Sequence, residues 1–188
     1  IYVEKAEHLI IRGCMIHDSG NGLFIGVNQG QTQDILIEGN RIYDNGIEGR
    51  YYEHNTYTAA IHITYQYNRF GPLRSGCGGN NLKDRSAGLV VRYNWIEGGN
   101  RQLDLVDAED SAVLVNHPDY RTTHVYGNVL IEPDGDGNSQ SLGPITDLNS
   151  QFEPGGIALK PEYRERPGGL PVPDSFRGAI RDRLGGLP

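Results

Sequence analysis

Lys83, Arg85 and Arg101, with Tyr57 and His54 upstream, are the side chains whose types and spacing point to chemistry. The first three lie in or beside the densest polar segments, Gly78-Gly-Asn-Asn-Leu-Lys-Asp-Arg-Ser86 and Asn100-Arg-Gln-Leu-Asp-Leu-Val-Asp-Ala-Glu-Asp110. Positive charge beside a lysine favours its neutral amine, so Lys83 next to Arg85 is a candidate general base. Arg85 or Arg101 can neutralise a carboxylate, and Tyr57 or His54 can return a proton to a leaving oxygen. Together these tasks make up β-elimination from a uronate-containing polysaccharide. Asn81, Asn55 and Gln102 are candidates for holding sugar hydroxyls. Asp104, Asp107, Glu109 and Asp110 offer the hard oxygen ligands that suit calcium, the one cofactor anticipated. Against these readings stands a plain one: a solvated charged surface in which Asp84 and Arg85 form an internal salt bridge.

Other catalytic patterns fit poorly. His17, His54, His62, His117 and His124 lack the His-Glu-x-x-His spacing of a zinc helix. There is no Gly-x-Ser-x-Gly nucleophile turn. Asp134-Gly-Asp-Gly-Asn138 begins like a calcium loop, but Ser139 and Ile145 stand where glycine and glutamate are required. A glycosidase needs two carboxylates facing each other across a cleft. A glycosidase of the same fold stays a third possibility, but Asp104 and Asp107 cannot simply be assumed to be its pair, because their odd spacing on a strand sends them to opposite faces.

The elements that must position these residues announce themselves as a repeat. Leu9-Ile-Ile-Arg-Gly-Cys-Met-Ile-His-Asp-Ser-Gly20 returns as Ile35-Leu-Ile-Glu-Gly-Asn-Arg-Ile-Tyr-Asp-Asn-Gly46, again from Ile63 and Leu89, and more loosely from His124. The anchors Cys14, Asn40, Asn68, Asn94 and Asn128 are separated by 26, 28, 26 and 34 residues. Each copy alternates apolar and polar residues before its anchor, which argues strand. A second strand-like run lies between copies: Leu23 to Gly26, Glu53 to Tyr57, Asn81 to Arg85, and Leu103 to Val106. Three short strands per copy, turned at Gly and Asn corners, predict an all-β right-handed parallel β-helix of about five coils. Stacked strands then lie about 4.8 Å apart, and the corner asparagines can bond one another along a ladder. If Leu82, Leu103 and Leu105 face inward, then Asn81, Lys83, Arg85, Gln102 and Asp104 face outward.

The helix is expected over residues 1–142. The long last step places an excess of about eight residues between Asp107 and Thr123, read as a loop thrown out from one corner. Residues 143–188 read as an extended Pro/Gly-rich tail with a short helix at about 175–184, capped by Asp174 and ended by Gly185. A net charge of −7 argues against nucleic acid, and no apolar run reaches the length of a membrane span. Cys14 and Cys77 read as thiols rather than a disulfide. Opening at Ile1 directly into a repeat reads as truncation, and uncapped coil ends or the tail are candidate surfaces for self-association.

The run Asn80-Asn-Leu-Lys-Asp-Arg-Ser-Ala-Gly-Leu-Val-Val-Arg-Tyr-Asn-Trp-Ile96 resembles bacterial right-handed parallel β-helix repeat proteins of the pectate-lyase-like superfamily. Within that superfamily it is similar to the alginate lyase and chondroitinase B family, in which a Lys precedes a strand containing Arg and Asn. The resemblance covers roughly residues 1–140 and implies a secreted, extracellular or periplasmic protein acting on acidic polysaccharide, with Lys83 as base. The family's calcium-binding acids fall here on Gly76 and Gly78, and its catalytic arginine falls on Asp104, with Arg101 nearby. The alternative expectation is a non-catalytic structural, adhesive or glycan-binding solenoid.

Overall fold

The computed structural model describes residues 1–131 and the backbone of residues 157–159. Each copy of the repeat folds as three short strands. The first contributes β1 (Tyr2–Val3), β2 (Ile10–Arg12) and β3 (Met15–Ile16), and the second β4 (Leu23–Ile25), β5 (Gln33–Glu38) and β6 (Arg41–Ile42). The third contributes β7 (Thr56–Thr58), β8 (Ile61–Gln66) and β9 (Arg69–Phe70), and the fourth β10 (Leu82–Asp84), β11 (Leu89–Arg92) and β12 (Trp95–Glu97). The fifth contributes β13 (Leu103–Leu105), β14 (Thr123–Tyr126) and β15 (Val129–Ile131). Equivalent strands pair in parallel, giving a first sheet β1-β4-β7-β10-β13, a second β2-β5-β8-β11-β14 and a third β3-β6-β9-β12-β15. Three parallel sheets wound from successive copies make a parallel β-solenoid, consistent with the anticipated β-helix. A further strand, β16 (Ile157–Leu159), pairs with β15 and extends the third sheet into the segment anticipated as tail. The rest of that tail, including the helix expected at 175–184, and residues 132–142 lie outside the described residues.

Alternation decides what faces in. Ile11, Ile37, Tyr65, Val91 and Val125 stack in register inside the second sheet, and Ile16, Ile42, Phe70 and Ile96 inside the third. No copy could bury these side chains alone, so the apolar core exists only between copies. Inside the first sheet, Thr56, Thr58 and Asp84 stand among the inward leucines and isoleucines. Thr58 and Asp84 are satisfied there: Thr58 Oγ1 donates to Asp84 Oδ2 at 2.6 Å and shares a 2.8 Å bond with Tyr65 Oη. Ser86 donates to Asp84 through both its amide, at 2.7 Å, and its hydroxyl, at 2.9 Å. Asp84 is thus buried in a polar knot, and the expected Asp84–Arg85 salt bridge does not form. Alternation points the two residues to opposite faces of the sheet.

The anchor asparagines form a buried ladder. Asn40 Nδ2 donates to Asn68 Oδ1 at 2.9 Å, Asn68 to Asn94 and Asn94 to Asn128 at 3.0 Å each. Each accepting oxygen also takes the backbone N–H of the preceding anchor, and Cys14 joins through its own amide. The left-handed residue at this corner is the one before the anchor: Gly13, Gly39, Tyr67, Tyr93 and Gly127. For the two tyrosines positive φ costs about 1–2 kcal/mol each, and their rings stack at 5.5 Å. A second buried ladder runs through Asn45, Asn55 and Asn81, with amide contacts of 2.8 and 2.6 Å.

The excess residues of the fifth copy are not thrown out from the body. They fold back through a short helix, α1 (Ala112–Val115), which buries Leu114 against Ile61, Ala87 and Ala108. Tyr120 Oη accepts from the Ala108 amide at 2.7 Å and donates to Asp107 at 2.9 Å, closing the excursion. Cys14 and Cys77 are both free thiols.

Candidate functional site

The outer face of the first sheet carries one residue from the middle of each strand, in register: Tyr2, Phe24, Tyr57, Lys83 and Asp104. Their neighbours on each strand point inward, so this row forms the outer face of the sheet, with Asp104 buried beneath the cations that pair with it. Tyr2 and Phe24 stack with centroids 5.1 Å apart, and Phe24 meets Tyr57 edge to face at 5.6 Å. Lys83 Nζ stands over the Tyr57 ring at 5.1 Å and 3.8 Å from Asp104 Oδ2. An aromatic strip running along the solenoid axis therefore ends in charge.

At that charged end a groove of about 500 Å³ is lined by Tyr57, Lys83, Arg85, Val106, Asp107 and Glu109. Arg85 donates to Tyr57 Oη at 3.2 Å and forms a bidentate contact with Asp110. Two buried polar atoms in this neighbourhood, Arg85 Nε and Asn80 Oδ1, have no hydrogen-bond partner.

The other anticipated residues fall in different places. Arg101 donates to Asp104 Oδ1 at 2.9 Å, so one nearly buried carboxylate serves both Arg101 and Lys83, as well as the Asn80 amide. His54 is buried behind Tyr57, its ring edge-on at 5.6 Å, and its Nδ1 accepts the Asn80 N–H at 2.8 Å. Burial, and then the charge of Lys83, pull the His54 pKa down to about 4, so the ring is neutral at neutral pH. Neutral and enclosed, it orients the chain rather than delivering protons to the groove.

Asn55, Asn81 and Gln102 do not face the groove. All three are buried; the two asparagines form the inner ladder, and Gln102 donates to the Gly98 carbonyl at 3.4 Å. The alternation argument fails for Asn81 and Gln102 because each precedes its strand and sits on the corner, where the chain turns inward. The four acids expected to hold calcium do not converge either. Asp104 and Asp110 are committed to cations, and Asp107 accepts from Tyr120. Among the described residues the cluster with metal-ligating geometry is instead His62, His117 and Asp119. The four acids therefore do not fit a resident calcium.

Sequence reasoning passed over Phe24 and Tyr2. The runs read from sequence put Asn55, not Tyr57, at the middle of theirs, so the column Phe24, Tyr57, Lys83 emerges only from the strand pairing. The second sheet presents a different outer face. Its outer row of Arg12, Glu38, Gln66, Arg92 and Tyr126 is joined end to end by hydrogen bonds of 2.5 to 3.1 Å.

No family model, no curated protein and no solved structure matches this chain. Fold and site alone define its class: a parallel β-solenoid with an aromatic strip and a charged groove on one face.

Proposed function

We propose that the chain is a right-handed parallel β-helix of the pectate-lyase-like kind that binds acidic polysaccharide along its first sheet. The observation that carries this reading is the row Tyr2, Phe24, Tyr57, Lys83, because it joins stacking surfaces to a cation along the direction a polymer would follow. Aromatic faces take the apolar side of sugar rings, and charge-assisted hydrogen bonds from Lys83 and Arg85 take a uronate carboxylate. Acidic polysaccharides of this kind are extracellular polymers, so the protein acts as a secreted one. The test is affinity electrophoresis of the full chain in gels containing alginate, pectate or a neutral glucan. Retardation in the acidic gels, reduced at least several-fold by Tyr57→Ala and by Lys83→Ala, supports the reading. Equal mobility in all gels contradicts it.

Elimination is the second reading, favoured by a Tyr57 hydroxyl that accepts from Arg85 on a ring that Lys83 covers. The ion pair with Asp104 gives Lys83 the part of a cation rather than of a base. In this version Lys83 and Arg85 neutralise the uronate carboxylate, and the Tyr57 oxygen exchanges the proton. The C–H bond beside the carboxylate breaks, its electron pair becomes a carbon–carbon double bond, and the glycosidic oxygen leaves with a proton. Tyr57→Phe separates the two readings, because it keeps the ring and removes the hydroxyl. Growth of the ultraviolet absorbance of an unsaturated uronate, lost in Tyr57→Phe while binding persists, supports elimination. Binding without any such absorbance reduces the reading to a non-catalytic glycan-binding solenoid.

A further inference from the structure

At the corner that opens the second sheet, His8, Asp34, His62 and Gly88 follow one another up the solenoid, all with positive φ. Three of them are not glycine, and such backbone costs of order 1–3 kcal/mol per residue, a pattern found at ligand clamps. His62 Nδ1 lies 3.4 Å from Asp34 Oδ1, and His62 Nε2 lies 2.9 Å from Asp119 Oδ2. His117 meets the His62 ring at right angles, with centroids 5.5 Å apart. The next residue up, Gly88, is what admits the histidine: a Cβ there would sit 2.5 Å from His62 Cδ2. Its amide also donates to the Asp119 carbonyl at 2.9 Å, bringing the fifth-copy excursion onto the corner.

From this geometry we propose that His62, His117 and Asp119 bind a divalent transition-metal ion such as zinc, with a further coordination position open to solvent. One ligand atom from each residue already lies within 4.8 Å of the others. Tetrahedral zinc with bonds near 2.0–2.2 Å needs separations of about 3.3 Å, a closure within reach of side-chain rotation. Two imidazoles and one carboxylate suit zinc and its neighbours rather than calcium or magnesium, which prefer oxygen. Asp34 plays the outer part common in such sites. It accepts the Nδ1 proton of His62 and so presents Nε2 to the metal. The cost lies at His117, whose Nδ1 accepts the Asp119 N–H at 3.1 Å; metal binding at either ring nitrogen gives up that bond. The site joins the third copy to the excursion between β13 and β14. A bound ion would therefore pin that excursion, independently of what the first sheet binds.

The test is isothermal titration calorimetry of the untagged full chain with Zn²⁺, backed by visible absorption with Co²⁺. Saturable binding of one ion per chain is expected, with ligand-field bands from Co²⁺. His117→Ala should weaken Zn²⁺ binding at least tenfold, and it leaves the His62–Asp119 pair and the Leu114 packing in place. Asp34→Asn should weaken binding roughly tenfold through the outer contact. His17→Ala, which changes a surface histidine paired with Asp18, should leave the affinity unchanged. Absence of saturable binding, or an affinity untouched by His117→Ala, would overturn the proposal.

Discussion

Asp84 and His54 titrate in opposite senses around the first sheet. Burial pushes the Asp84 carboxyl up to about 6 from 3.8, and the bonds from Thr58 and Ser86 only partly offset it. A carboxyl raised on folding stabilises the fold most below pH 3.8, and this contribution is lost as pH rises through 6. Over that window its size is about 3 kcal/mol. His54 is held down to about 4 from 6.5, chiefly by burial. Its contribution is present above pH 6.5 and is lost as pH falls toward 4. The two slopes oppose each other between pH 4 and 6, which predicts a flat stability profile there. Urea unfolding of Asp84→Asn should reveal the His54 slope alone, with stability falling as pH drops from 6.5 to 4. A profile unchanged by Asp84→Asn would show that Asp84 does not carry this burden. At the surface, Tyr57→Ala should lower polysaccharide affinity by about tenfold, since one stacked ring contributes of order 1–1.5 kcal/mol.

The Asn40–Asn68–Asn94–Asn128 ladder is what holds one strand element in register with the next. Asn68 accepts from the Asn40 amide and side chain and donates to Ile37 O at 2.8 Å and to Asn94. Asn68→Ala leaves these partners buried and unpaired, at a cost of roughly 2–4 kcal/mol, measurable as a lower urea midpoint. Loss below about 1 kcal/mol would mean the ladder is redundant. This ladder was readable in the chain because the anchor recurs and one residue type serves it. So was the three-strand copy, because alternation shows directly in sequence. The polar knot at Asp84 was hidden, since its partners Thr58, Tyr65 and Ser86 come from different elements. The His62–Asp119 cluster was hidden for the same reason: its ligands are 57 residues apart and meet only once the excursion folds back. Asn81 and Gln102 misled because alternation stops at the end of a strand.

At the scale of the whole molecule, the strands pair only through the stacking of successive copies. On the side away from the second copy, β1, β2 and β3 pair with no other described strand, and Ile10 and Met15 are exposed there. An outermost strand that stays uncovered templates strand addition, so end-to-end association is proposed for this chain. Light scattering behind a sizing column should show concentration-dependent growth that Ile10→Lys reduces; a monomer at every concentration would argue otherwise. A net charge of −7 also bears on the proposed polymer partner. It repels polyanions overall, so binding must come from the local cations of the groove and should weaken as salt rises. Whether the first sheet is the binding face can be read directly by hydroxyl-radical footprinting of the full chain with and without polyuronate. Phe24 and Tyr57 should become protected, while Trp95 on the third sheet and Tyr93 on its corner keep their reactivity. Protection of Trp95 or Tyr93 with Tyr57 unchanged would place the binding face elsewhere and refute the assignment.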